Sequence, residues 1–291
     1  MDDSQGIDRR AFVKSAVAIG GAAAFSACLD RGASVDVPRG PENPDAEYPE
    51  RQHAWNAVLP TDDTGNNVHP RHRVLLALEY DGDTPTDAER ETVAEALRGV
   101  ERAYERSVDG LLMTVSYSPY YFDRFDDSLP ESVDLPEPEP LASFEDPTPD
   151  DVDALIHLAS NNAAVVLGAE EALKGDVEEL NGVSQPSDSL LTAFSVRERR
   201  TGFIGEGSPA GNQDVDGVPD SEPVSEETPL YMGFKSGFAG NQPGEDRVTS
   251  SDGPFTAGTT QHLSFIELNL QQWYEQDSRT QRVSKMFCPH H

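Results

Sequence analysis

Apolar positions between residues 71 and 200 switch repeatedly between strand and helix spacing. Val74–Tyr80 (VLLALEY) is a nearly continuous apolar run closed by Asp81-Gly82-Asp83, which predicts a buried strand. Thr86, with Glu89 three residues on, predicts the capped start of a helix. Val93, Ala96, Leu97, Val100 and Tyr104 then recur at helical spacing and give that helix one apolar face. After Gly110, Leu111, Met113, Val115 and Tyr117 alternate with Leu112, Thr114 and Ser116, the period of a strand. An acidic, proline-rich excursion fills Pro119 to Pro149. Ala154–Leu158 predicts a short strand, Asn161 or Asn162 opens a second helix, and Gly175 closes it after Leu173. Leu190, Thr192, Phe194 and Val196 alternate with Ala193, Ser195 and Arg197 as a fourth strand.

The order β-α-β-β-α-β is that of the split βαβ, so the fold class is α+β with a ferredoxin-like unit over 71–200. Residues 201–291 begin with loop, rich in Gly and Pro. Leu263–Leu270 then predicts a strand with His262, Ser264, Ile266, Leu268 and Leu270 on one face. Ser278 with Gln281 caps a helix carrying Val283, Met286 and Phe287. An incomplete second ferredoxin-like unit is therefore expected, in a dimeric α/β-barrel-like arrangement. Such a unit leaves strand edges unpaired, which predicts a chain shorter than its relatives and open to a homo-oligomeric partner edge.

The amino terminus changes the picture. Asp8-Arg9-Arg10-Ala11-Phe12-Val13-Lys14 reads as a twin-arginine export motif. The uncharged run Ser15–Ala27 that follows is too short to span a bilayer and reads as the apolar part of a signal. It ends in Phe25-Ser26-Ala27-Cys28, close to a lipobox, so Cys28 is expected to carry lipid and hold the protein at the outer face of the cell membrane. Residues 1–28 are then the signal. Residues 29–70, rich in Asp, Glu, Pro and Gly, are expected to be a poorly ordered tether.

The formal net charge is −31, from 53 acids against 22 bases. The signal holds three of each, so the exported part carries all of it. Repulsion of that size is screened in molar salt, where the Debye length is about 3 Å, and the composition predicts a salt-adapted, halophilic surface. The charge makes nucleic acid and anionic membrane surfaces poor partners. The two cysteines are Cys28 and Cys288, and acylation of Cys28 leaves no intrachain disulfide.

Candidate chemistry is sparse. His262 falls on the predicted apolar face of 263–270, as a core histidine or a cofactor ligand. Cys288-Pro289-His290-His291 offers zinc or copper ligand types without a fourth partner. Asn212–Gly217 resembles the start of a calcium loop, but Pro223 stands at position 12, where a bidentate Glu is needed. His53, His69, His72 and His157 show no ligand spacing, and Tyr117, Tyr120, Tyr121 and Phe122 form an aromatic cluster.

Several segments in order resemble the dye-decolourising peroxidase (DyP-type) family, haem peroxidases built from two ferredoxin-like halves. They are Asp109–Arg124 (DGLLMTVSYSPYYFDR), the strand and paired Asn of Asp151–Leu173, Gly233–Asn241 (GFKSGFAGN), and Gly258–Trp273. The likeness spans residues 70 to 291 and is similar to that of twin-arginine-exported haloarchaeal relatives. It implies an exported peroxidase-like protein with haem b, and an Asp in the Gly233–Gly237 motif that moves a proton between peroxide oxygens. Here Ser236 occupies that position. The family's proximal His and distal Arg lie further along than Trp273, and His290 and His291 come too early for them. The resemblance thus implies a catalytically impaired or fragmentary haem protein. The alternative is a non-enzymatic exported binding lipoprotein that keeps the scaffold without haem.

Overall fold

The computed structural model describes residues 37–126, 129, 133, 139–140, 146, 150–205, 207–214, 224–235 and 244–287. They fall into two compact units, one of 37–205 with 242–262, the other of 206–241 with 263–287.

The first unit is ferredoxin-like. Strands β1 (His72–Tyr80), β2 (Leu112–Tyr117) and β3 (Ala154–Ser160), helices α1 (Asp87–Ala103) and α2 (Ala163–Lys174), and a last long strand, Phe194–Phe203, follow the predicted order. A two-residue hairpin, β4 (Glu179–Leu180) and β5 (Val183–Ser184), precedes the last strand, which is therefore β6. The sheet runs β2-β3-β1-β6, with all three pairings antiparallel.

Local chemistry sets the helix ends. Thr86 Oγ1 accepts from Glu89 N (3.3 Å) while Glu89 Oε2 accepts from Thr86 N (2.9 Å), the predicted capping box. Asn162 Oδ1 accepts from Ala164 N (3.0 Å), and Gly175 ends α2 with φ +79°. Val74, Leu76, Leu78 and Tyr80 of β1 and Ile156 and Leu158 of β3 point to one face of the sheet. Val93, Val100, Val165, Val166 and Leu173 of the two helices cover that face. Each such fully buried aliphatic side chain contributes roughly 2–3 kcal/mol of transfer free energy.

Two predicted features of the first unit differ in the structure. Leu190–Thr192 is a 3₁₀ turn, and the strand starts at Phe194. Ser189 Oγ accepts from Leu191 N (3.2 Å) and Thr192 Oγ1 from Ser189 N (3.3 Å), so a reciprocal cap overrides the alternation. The part of the expected tether from residue 37 onward is docked. Tyr48 Oη accepts from Arg106 N (3.0 Å) and donates to Tyr104 O (3.1 Å), and Leu59 is buried against Leu112 and Ala159. Its few apolar and aromatic residues suffice because Tyr48 bonds to the end of α1 while Leu59, with Trp55 and Val58, packs against the sheet.

Gln52 of this segment has a particular place. Its side-chain amide donates to Val115 O (2.7 Å) and accepts from Val115 N (2.8 Å), on the outer edge of β2. At the other end of the sheet, β6 has a strand partner, β1, on one side only among the described residues.

In the second unit no strand forms over 263–270; the segment is irregular and largely exposed. A π-helical turn, Gln272–Gln276, follows it. Trp273 and Tyr274 are buried there with Val224, Met232, Phe234 and Leu270. The closing helix α3 (Arg279–Phe287) starts at the predicted Ser278–Gln281 cap. Alternation alone does not make a strand where no neighbouring strand satisfies its backbone.

Candidate functional site

The residues singled out by the resemblance do not converge on a cofactor pocket among the described residues. His262 is exposed, on irregular chain rather than on a strand's apolar face, which corrects the expected position. Ser236 and Gly237 lie outside the described residues, as do Arg9, Arg10, Cys28, Cys288, His290 and His291. Gly233, at the start of the motif, is described. It has φ +76°, its N–H donates to Leu230 O (3.0 Å), and any side chain there would crowd the Tyr274 hydroxyl. Phe234 packs edge-on to Trp273 (6.3 Å) and Phe287 (5.1 Å). Trp273 Nε1 donates to Met232 O (3.1 Å), and Lys285 pairs with Asp277 (2.5 Å).

A cavity of about 190 Å³ in the second unit is lined by Met232, Glu267, Leu270, Trp273, Asp277 and Lys285, among others. The start of the calcium-like loop is tied into the same unit. Asn212 donates its side-chain N–H to Ser208 O (2.9 Å), and Gln213 Oε1 accepts from Val224 N (2.9 Å). The rest of that loop lies outside the described residues. No group of three or more His, Cys, Asp or Glu side chains is placed to hold a metal ion among the described residues.

The aromatic cluster is an element of the core. Tyr121 is buried and packs on Tyr117 (4.6 Å), Phe122 (5.7 Å), Phe125 (5.5 Å) and Phe194 (6.1 Å). Burial pushes the Tyr121 hydroxyl up to about 12, so it stays protonated. Beside it, Arg124 grips the buried Asp153 with two bonds, Nε to Oδ1 (2.7 Å) and Nη2 to Oδ2 (2.9 Å). Asp153 Oδ2 also accepts from Tyr80 N (2.7 Å). The carboxylate holds the Arg124 guanidinium above its ordinary value. Glu170 of α2 is likewise held by Arg199 (Nη2 to Oε2, 2.7 Å) and by Lys174.

The face of the sheet opposite the helices carries a different group. Arg73 of β1 places Nη1 3.2 Å from His157 Nε2 of β3. The His157 ring lies 4.9 Å from that of Trp55, and the Arg73 guanidinium sits 5.9 Å from the Trp55 ring centre. Thr114 of β2 is directly opposite His157 in register and shares its face. Because the guanidinium can only donate, His157 Nε2 accepts and the ring proton sits on Nδ1. Burial, and then the neighbouring Arg73 charge, pull the His157 pKa down to about 4. The ring is therefore neutral near pH 7, and Arg73 is the charge of the cluster.

The model of a family described as one of unknown function, DUF7405, matches residues 70–291. The chain belongs to DUF7405. A comparison with curated proteins gave no match. Among solved structures, this DUF7405 chain is similar to a dye-decolorizing protein from V. cholerae, at 16% identity over 69% of this chain and 54% of that one, TM-score 0.38. It is similar to a DyP-type peroxidase from Cellulomonas bogoriensis, at 19% identity over 68% and 55%, TM-score 0.39. It is also similar to a dye-decolorizing peroxidase from Bacteroides thetaiotaomicron, at 15% identity over 58% and 50%, TM-score 0.35. The chain spans about half the length of these proteins.

The cavity described in the second unit does not take haem. The second-unit cavity, about 190 Å³, is below the roughly 300–1,000 Å³ of pockets for drug-sized ligands, and no imidazole or thiolate lines it. His262 is exposed on irregular chain. The cluster that the structure does assemble, Arg73 with His157 and Trp55, is invisible in sequence spacing. Arg73 and His157 stand 84 residues apart and meet only because β1 and β3 are neighbours.

Proposed function

We propose that this chain is an exported, lipid-anchored binding protein that retains a ferredoxin-like scaffold and works without haem. Arg9-Arg10 and the Cys28 lipobox support export and anchoring at the outer face of the cell membrane. The observation that carries the non-haem reading is His262. It is the histidine of the Gly258–Trp273 segment, and it stands exposed on irregular chain rather than on a strand. Ser236 adds to this, because a hydroxyl of ordinary acidity does not shuttle a proton as a carboxylate does. The matched segments, Asp109–Arg124 and Gly233–Asn241, favour the second reading, a DyP-type haem protein of impaired activity.

One experiment separates the two. Haem is titrated into residues 29–291 in molar salt, and the Soret band is followed. Weak, non-saturating shifts that are unchanged by His262→Ala are expected. A saturable one-to-one shift that His262→Ala abolishes would overturn the proposal and install the haem reading.

A further inference from the structure

Residues 49–69 are fastened differently from the chain on either side of them. The chain just before is fixed to the end of α1 and to the β4–β5 turn. Pro38 O accepts from Glu105 N (2.9 Å), Val37 O accepts from the Asn181 side-chain amide (2.9 Å), and a side chain at Gly40 would overlap Glu101 O. The chain just after enters β1 at His72. Between these points every backbone–backbone hydrogen bond described for 49–69 is internal, such as Val58 N to Trp55 O (2.9 Å) and Val68 N to Pro60 O (2.8 Å). The described bonds outward all use a side chain: Gln52 with Val115 O and N of β2 (2.7 and 2.8 Å), Arg106 Nη2 to Gln52 O (3.3 Å), and His53 Nε2 with Thr249 Oγ1 (3.0 Å). A piece bonded within itself and held from outside by a few side chains is built to open as one body.

Its seat on the sheet is imperfect. Trp55, Val58 and Leu59 pack with Leu112 and Ala159, which favours the closed state. Gln52 meets β2 at Val115, and the Trp55 ring meets His157 of β3 at 4.9 Å. Thr114 adjoins Val115 and stands opposite His157 in register, so it lies between the two contacts. Thr114 Oγ1 and Trp55 Nε1 are shielded from solvent and have no hydrogen-bond partner. Arg73, its guanidinium 5.9 Å from the Trp55 ring centre, has no carboxylate within ion-pair distance among the described residues. The closed segment therefore takes polar groups out of water without replacing what they lose, and lifting it gives the water back.

We propose that residues 49–69 form a strap that opens and closes over the sheet as a unit, with Gln52 as its latch on β2. Closed, the strap occupies the Val115 peptide edge and shields Thr114 and the Trp55 indole. Open, it returns these groups to water and leaves β2 as a bare edge strand. A primary amide suits the latch, because it offers the donor and acceptor of a peptide group yet leaves by rotation of one side chain. The strap and its seat lie wholly within the first unit, so its opening is independent of the haem question.

Hydrogen exchange followed by NMR tests it, on the full exported chain in molar salt. The Val115 amide and the Trp55 indole N–H report the strap, and the Leu76 amide of the central strand β1 reports global unfolding. In the unmodified chain, Val115 and Trp55 are expected to show equal protection, each relative to its intrinsic rate, and at least tenfold less than Leu76. Thr114→Val keeps the shape and removes an unmet hydroxyl, so it should raise the protection of both reporters at least fivefold, equivalent to about 1 kcal/mol. Gln52→Ala should lower the protection of the Trp55 indole at least fivefold and leave Leu76 unchanged. Three results would each overturn the proposal. Val115 and Trp55 as protected as Leu76 would mean that the segment leaves only when the whole unit unfolds. A Trp55 indole indifferent to Gln52→Ala would mean that Gln52 holds no strap. Unslowed exchange in Thr114→Val would mean that the seat is not imperfect at that hydroxyl.

Discussion

Asp153→Ala is the most informative single change in the first unit. The carboxylate is 1% exposed and accepts three hydrogen bonds: two from Arg124, at 2.7 and 2.9 Å, and one from Tyr80 N, at 2.7 Å. The change leaves the Tyr80 N–H buried and unmet at the end of β1, a cost of about 1–3 kcal/mol. It also strips Arg124 of its counter-ion. That side chain is 28% exposed, still donates to Gly82 O (3.1 Å), and lies 5.7 Å from the Tyr80 ring centre, so water recovers part of the loss. Breaking a buried pair from one side typically costs about 3–5 kcal/mol, and the low end applies here. At about 2–4 °C per kcal/mol for a unit of this size, the melting midpoint should fall by about 6–12 °C. Asp153→Asn keeps an acceptor for Tyr80 and should lose about half as much. The assay is thermal unfolding by circular dichroism in molar salt, with Arg124→Met and the double variant closing the cycle; the pair should cost less together than the sum. An Asp153→Ala protein within about 0.5 kcal/mol of wild type, the range of ordinary surface changes, would refute the assignment of this ion pair as the tie between β1, β3 and the turn at Pro119–Phe122.

Two other outcomes are expected. His157 is neutral in the fold, with its pKa pulled down to about 4 by burial and by Arg73, and its described neighbours Trp55 and Thr114 add no negative charge. The unfolded chain takes up this proton near pH 6.5 and the folded one only near 4, so the contribution is intact above 6.5 and is lost as pH falls towards 4, up to about 3 kcal/mol. His157→Gln should therefore flatten the unfolding midpoint between pH 6.5 and 4.5 relative to wild type, and parallel curves would count against it. Cys28→Ser should move the exported protein from the membrane fraction to the medium; continued sedimentation with membranes would remove the lipid anchor from the account.

The ferredoxin-like unit was legible because its signals are local and agree. The Thr86–Glu89 box, the Asn162 cap, the Gly175 terminus and the periods of β1, β2 and β3 all stand where the sequence puts them. Errors arose where two local signals competed. At Ser189–Thr192 a reciprocal side-chain cap overrode alternation, and at 263–270 alternation had no neighbouring strand to pair with. The β4–β5 hairpin had a readable signal that went unused: Asn181-Gly182, with φ +47° and +73°, is the residue pair that a tight hairpin turn demands. The docked segment from residue 37 was hidden by its composition, since Tyr48, Gln52 and Trp55 act through particular contacts that no average over the segment registers. Arg73 and His157 were hidden by strand pairing, which joins residues that sequence distance separates.

Gln52 has a consequence for assembly. Its primary amide answers Val115 as a peptide group would, so an incoming strand meets an occupied position in the middle of β2. Continuous edge-to-edge growth needs two available edges on every molecule. Here one end of the ladder is plugged by a side chain, and among the described residues only β6 lacks a second strand partner, so any sheet-to-sheet association would terminate at two molecules facing each other across a two-fold axis, and a fibre would have no second end from which to grow.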